Sequence, residues 1–204
     1  MNKENKIKVF NNEYLYIENE DLREDAKTLV GDLPDYFFSV DASSSGKYHP
    51  KYAAGEGGLS RHVKSACKFA YELLSNPIIG KPYTSRDKDL IIIALLIHDG
   101  LKYGNTYKKG DYTKFEHPIL ASDYAKKYKD KLNMSEEELD KMSNAVASHM
   151  GPWNTNSYSE VILPIPKAPM EKFVHMCDYL ASRRFINLDF DKDSNVIDES
   201  KCRM

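Results

Sequence analysis

The chain has 204 residues, of which 41% are hydrophobic and 29% charged, so one domain with a substantial core is expected. A formal net charge of −2 gives no general attraction to polyanions, so any contact with nucleic acid is expected to be local. The longest apolar run, Leu90–Ile97, is too short to span a membrane, and three cysteines without a C-x-x-C pattern predict a reducing, cytoplasmic setting.

Residues 1–46 are predicted to form an N-terminal extension that packs on the main domain. The segment "KIKVFNNEYLYI" alternates weakly between apolar and polar residues around Asn11, which predicts a short β-hairpin. Residues 18–34 have the composition of a short helix that a glycine and a proline end. The small-residue stretch at residues 41–58 is predicted to be a loop.

Residues 47–186 are predicted to form a bundle of helices. From Leu59 onward, apolar residues recur at helical spacing. The segment at residues 87–98 is apolar all round, which favours a central helix. A buried strand is consistent with its isoleucines, but its length and its alanine and leucines favour a helix.

Three further helices complete the predicted bundle. Pro118 suits the first position of one helix, and Ser135 with Glu138 forms a capping box that opens the next. The segment "MEKFVHMCDYLASRRF" is the last of about five or six helices. The predicted fold is therefore all-α, with a tail or small hairpin at residues 187–204.

The apolar run ends on an imidazole beside a carboxylate, His98-Asp99. A buried carboxylate is costly unless it is paired or binds a metal. Further metal-binding residue types stand at helix positions that can point inward: His62, His117, His149 and Asp178. Imidazole and carboxylate together suit Mn, Fe, Ni or Zn, and an aspartate can bridge two ions that act on a phosphoester. The sequence thus predicts one or two divalent metals, with Mn, Fe or Ni favoured over Zn or Mg.

The order H…HD…H…H…D, with Lys102 three residues after Asp99, resembles the HD-domain superfamily of metal-dependent phosphohydrolases. Three phrases resemble the HD domain of YhaM-type 3′→5′ exoribonucleases: "GGLSRHVKSA", "SHMGPWN" and "HMCDYLASR". Met150 departs from that pattern, since it stands where the exoribonucleases have a second consecutive histidine. The segment before the domain leaves no room for their oligonucleotide-binding barrel, so processive action on long RNA is not expected.

The resemblance implies a ligand set for each of two metals. The first metal would be bound by His62, His98, Asp99 and Asp178, and the second by Asp99, His117 and His149. Since "EHP" can also be a simple helix cap, His117 is the ligand with an open alternative.

Other residues are candidates for binding the substrate. The resemblance implies that Lys102 meets the substrate phosphate and shares the catalytic role with Asp99. Lys47 and His49 precede the first ligand helix and are placed to touch a phosphate, although His49 is equally consistent with a surface histidine. Trp153 can stack a nucleobase, as can Tyr103 and Tyr107, but aromatic residues more often pack in a core. His175 lies one turn before Asp178 and is expected to pack or to form a supporting hydrogen bond.

The predicted function is a phosphodiesterase that cleaves short oligonucleotides or cyclic nucleotides with a metal-activated water. One alternative is a nucleotidase or a dinucleoside-polyphosphate hydrolase, which the small, slightly acidic chain favours. Another is a non-catalytic, metal-stabilised binding module. The expected partner is a nucleotide or short oligonucleotide, with no long nucleic acid and no membrane, and the oligomeric state is open.

Overall fold

The computed structural model describes residues 1–43 and 49–186, and the backbone of residues 189–190 and 196–197. Its α-helices are α1 (Lys3–Lys8), α2 (Glu20–Gly31), α3 (Gly58–Ser75), α4 (Ser85–Ile97), α5 (His117–Lys126), α6 (Glu136–Ala147) and α7 (Pro169–Ala181). Single 3-10 turns lie at Glu13–Tyr16, Asp35–Phe38, Lys51–Ala53, Lys129–Lys131 and Arg184–Ile186. The prediction of an all-α fold is confirmed.

Helix α4 is the central helix of the bundle, as predicted. Every residue of Leu90–Ile97 is at most 1% exposed, and the helix packs against α2, α3, α6 and α7. It begins at Ser85, two residues before the predicted start. The reason is a capping box, in which the Thr84 hydroxyl accepts the Asp87 N–H at 3.1 Å and the Asp87 carboxylate accepts the Thr84 N–H at 3.1 Å.

The predicted N-terminal hairpin is wrong, because residues 3–16 form helix α1 and a 3-10 turn. The side chain of Asn2 caps α1 by accepting the Asn5 N–H at 2.8 Å. Phe10, Tyr14 and Ile17 are at most 2% exposed and join the core of the bundle. In an extended strand, Phe10 and Ile17 would face opposite sides, whereas helical turns bring both to the core.

Helices α5 and α6 begin where the sequence predicts. Helix α6 begins at the predicted capping box, with the Ser135 N–H donated to Glu138 at 2.8 Å. Helix α5 begins at His117 with Pro118 in its first turn, as predicted, and ends at Lys126, before a 3-10 turn.

Two short strands pair in the C-terminal segment, for which the sequence predicts a tail or a small hairpin. Strand β1 (Asp189–Phe190) pairs antiparallel with β2 (Val196–Ile197). None of the described helices combines the length and the apolar composition needed to cross a membrane.

Candidate metal centre

Six predicted ligands meet where α4 ends. His98 and Asp99 follow α4 directly, and four other segments bring the rest: α3 (His62), the start of α5 (His117), the turn after α6 (His149) and α7 (Asp178). They form two groups that can each hold an ion, and within each group the ligand atoms lie within 4.8 Å of one another.

The first group consists of His62, His98 and Asp178. The two Nε2 atoms of its histidines are 3.3 Å apart. Asp178 Oδ1 lies 3.0 Å from His62 Nε2 and 3.5 Å from His98 Nε2. Both imidazoles are buried, whereas the Asp178 side chain is 17% exposed. Asp178, on α7, is therefore the member of the group most open to solvent.

The second group consists of Asp99, His117 and His149. Asp99 Oδ1 lies 3.1 Å from His117 Nε2 and 3.8 Å from His149 Nε2, and the two Nε2 atoms are 3.2 Å apart. All three side chains are at most 4% exposed. The burial of His117 and its contact with Asp99 put it at the centre, although it also begins α5.

Asp99 joins the two groups. Its Oδ1 faces the second group, while its Oδ2 lies 3.8 Å from His62 Nε2 and 3.9 Å from His98 Nε2 in the first. One carboxylate thus presents a different oxygen to each group, which is the arrangement that a bridging ligand of two ions requires.

Backbone carbonyls orient three of the four imidazoles. In each case Nδ1 lies 2.7 Å from the carbonyl oxygen three residues earlier: His98 to Leu95, His117 to Lys114 and His149 to Val146. A hydrogen on Nδ1 leaves the lone pair on Nε2, and in all three cases Nε2 is the atom that faces the centre. The donor set and its tautomers therefore fit divalent transition metals.

Neighbouring cationic groups keep the carboxylates ionised. Burial alone would raise the pKa of Asp99, but the Lys102 ammonium and the imidazoles of His117 and His98 hold it well below its usual value. For Asp178, hydrogen bonds from His62 and from a proton on His98 Nε2, which a bound metal ion would replace, outweigh burial and likewise lower the pKa. Both side chains are thus in the form that binds a cation.

The pKa values of two of the histidines that face these carboxylates shift in opposite directions. Burial lowers the pKa of His149 to about 3, which keeps it neutral and able to ligate. Burial also lowers the pKa of His98, but the Asp178 and Asp99 carboxylates outweigh it and the net shift is upward. Protons and metal ions therefore compete for His98 in acid.

The predicted substrate residues lie at different distances from the centre. Lys102 is 8% exposed, and its Nζ lies 2.6 Å from Asp99 Oδ2, so its charge is paired with a ligand. The His49 ring lies 5.1 Å from the His62 ring. Trp153 is 48% exposed. Lys47 lies outside the described residues.

The tyrosines after the His-Asp pair pack together. The Tyr103 and Tyr107 rings lie 5.5 and 5.6 Å from the Tyr36 ring, and Tyr103 is 5% exposed. The Tyr36 hydroxyl donates to the Gly104 carbonyl at 2.7 Å and accepts the Tyr103 N–H at 3.1 Å. Tyr36 thus holds the turn that follows Asp99, a role that the sequence pattern does not indicate.

His175 supports the second group, as a hydrogen bond rather than a ligand. Its Nδ1 lies 2.6 Å from the His149 carbonyl oxygen. Gly151 lies directly against its ring: a Cβ at this position would be 2.2 Å from the imidazole, and the φ of +62° also favours glycine. The sequence suggested the hydrogen bond but gave no sign of the glycine contact.

A comparison with protein families matches residues 59–183 to the family described as HD domain. The matched span covers more than half of the chain and contains all six candidate ligands. No curated protein and no solved structure matches.

Proposed function

The chain belongs to the HD domain family, and from this premise we propose that it is a metal-dependent phosphodiesterase that acts on cyclic nucleotides or short oligonucleotides. The observation that carries the proposal is that Asp99, a member of the second three-residue group, turns its other oxygen toward the histidines of the first. Two divalent ions held there would activate water and stabilise the attacking and leaving oxygens of a phosphoester.

The residues of the chain contribute position and charge. Asp99 fixes the spacing of the two groups, and the Nδ1 hydrogen bonds of the imidazoles fix where their Nε2 atoms point. Lys102 adds a positive charge 2.6 Å from Asp99 Oδ2, where it offsets negative charge that a phosphate brings to the centre. His49 lies beside His62, with ring centroids 5.1 Å apart, and can contact a substrate bound near the first group.

The size of the substrate is limited by access. Asp178 is the most exposed ligand at 17%, and the other ligand side chains are at most 4% exposed. A recessed centre admits a small molecule or the end of a strand more readily than a long duplex. This favours nucleotides and short oligonucleotides as substrates. The preference for a diester rests on the exoribonuclease-like phrases of the sequence.

A substrate panel tests the proposal. The Mn-supplemented protein is assayed with bis-(p-nitrophenyl) phosphate, cyclic nucleotides, short RNA and DNA, and nucleoside monophosphates. We expect turnover of diesters that chelation abolishes and Mn restores. The Asp99→Ala variant is the control, because it removes the shared ligand and should have no activity above background.

Each other pattern supports a different candidate. Turnover of monoesters or dinucleoside polyphosphates alone would replace the diesterase by a nucleotidase or a dinucleoside-polyphosphate hydrolase, which the same recessed centre also fits. Full metal occupancy without turnover of any substrate would favour a metal-stabilised binding module.

A further inference from the structure

Two aromatic rings and a guanidinium group lie together beside the metal centre. The Trp153 indole and the Tyr179 ring are stacked, with centroids 5.7 Å apart and planes within 7° of parallel. The guanidinium carbon of Arg183 lies 4.1 Å from the Tyr179 centroid and 5.2 Å from that of Trp153. We call these three residues the Trp153 platform.

The platform is connected to both ligand groups. Tyr179 directly follows Asp178, a ligand of the first group and the one most exposed. The His175 ring lies 6.1 Å from both platform rings, and its Nδ1 is bonded to the carbonyl of His149, a ligand of the second group. The platform therefore follows the most exposed candidate ligand in the chain and contacts the second group through His175.

The platform is also exposed to solvent. Trp153 is 48% exposed although its ring stacks with Tyr179 and the Arg183 guanidinium carbon lies 5.2 Å from its centroid. The tyrosines beyond Asp99 differ, since Tyr103 is 5% exposed and packs against Tyr36. An indole that its neighbours hold in place and that keeps about half of its surface exposed can contact a further planar ring.

We propose that the Trp153 platform is the subsite for the base of a nucleotide substrate, whose phosphate lies at the metal centre. The inference rests on the proposed function and names the part of the substrate that gives selectivity. Every base has a π face, so stacking tolerates different bases, and the nearby guanidinium adds a cation–π contribution. Nucleotides should therefore be preferred over phosphoesters without an aromatic group, with little preference among bases.

Binding can be read directly, because Trp153 is the only tryptophan in the chain. The Mn-loaded protein is titrated with adenosine monophosphate, ribose 5-phosphate and inorganic phosphate while tryptophan emission is recorded. We expect adenosine monophosphate to quench the emission and the two ligands without a base to leave it nearly unchanged. Equal responses to all three ligands would overturn the proposal.

Kinetics test the same subsite without relying on fluorescence. The preference is the ratio of kcat/KM for a substrate to that for the same substrate lacking its base. Trp153→Leu should reduce this ratio roughly tenfold, the effect of losing one base–aromatic stack, whereas Trp153→Phe should retain most of it. Tyr158→Ala is the matched control, since Tyr158 lies in the same loop, is 96% exposed and should not affect the ratio.

The outcomes separate this inference from the proposed function. If Trp153→Leu keeps both metal-dependent turnover and the preference for a base, the platform is not the subsite and the phosphohydrolase proposal stands. If adenosine monophosphate quenches the emission but no phosphoester is cleaved, the platform stands and the enzymatic proposal fails.

Discussion

Two buried aspartates lie at the two ends of the apolar run Leu90–Ile97 and have different surroundings. Asp89, near the start of α4, is 1% exposed and accepts the backbone N–H groups of Glu18 and Asn19 at 2.8 and 3.0 Å. Asp99, just beyond the end of α4, is 3% exposed and faces imidazoles and the Lys102 ammonium. Burial raises the pKa of Asp89, whereas Lys102 and the imidazoles outweigh burial and lower the pKa of Asp99.

The difference shows that burial of a carboxylate does not by itself mark a functional site. The partners of Asp89 are N–H donors, which hold the N-terminal extension against α4 and cannot bind a cation. The partners of Asp99 include Nε2 atoms, whose lone pairs can bind a cation together with the carboxylate. The type of partner therefore distinguishes a structural aspartate from a candidate metal ligand.

The largest expected effect follows from removing Asp99. Asp99→Ala should lose most of the bound metal and all measurable activity, because both ligand groups lose the carboxylate that joins them. Metal analysis of the purified protein, together with the substrate panel, measures both. Asp89→Ala should keep its metal, and a full metal complement in Asp99→Ala would contradict the assignment of the centre.

A smaller effect on stability is expected at the other end of the helix. Asp89→Ala should lower the free energy of unfolding by about 2–3 kcal/mol, since two backbone N–H groups lose a charged acceptor. Urea denaturation of the two proteins measures the difference. Asp89→Asn should cost less, because its amide oxygen can still accept one of the two hydrogen bonds. An unchanged midpoint for Asp89→Ala would show that water replaces the carboxylate.

Features that depend on residues close together in the chain could be predicted from the sequence. The helix at α6 was predicted because Ser135 and Glu138, three residues apart, form its capping box. The candidate ligands were found through motif order and residue chemistry. The N-terminal hairpin was wrong because a weak alternation was taken for a strand pattern, whereas helix α1 and the 3-10 turn that follows bring Phe10 and Ile17 into the core.

Long-range partners could not be predicted. The amides that satisfy Asp89 come from about 70 residues earlier in the chain. The Tyr36 hydroxyl reaches the turn after Asp99 across a similar separation. Such contacts depend on how the helices pack, which periodicity within one segment does not specify.

The smallest effect should come from a residue that touches no ligand side chain. Gly151→Ala places a Cβ where the His175 ring lies, so the imidazole must move away from the His149 carbonyl. Loss of a hydrogen bond to a ligand's own side chain typically costs about 10–100-fold in metal affinity, so loss of this bond to a ligand's backbone should cost about tenfold or less. A metal titration of the stripped protein measures the affinity of the second group for Mn.

A matched control separates this contact from backbone strain. Gly55 has a φ of +75°, close to the +62° of Gly151, but a Cβ there would meet nothing within 4 Å. Both alanine variants should lose about 1 kcal/mol of stability through the left-handed backbone, yet only Gly151→Ala should weaken metal binding. Equal metal affinities in the two variants would show that the His175 hydrogen bond does not support the centre. Metal binding beside Asp99 would then depend on the ligand side chains alone, just as the burial of Asp89 depends on the two amides that bond to it.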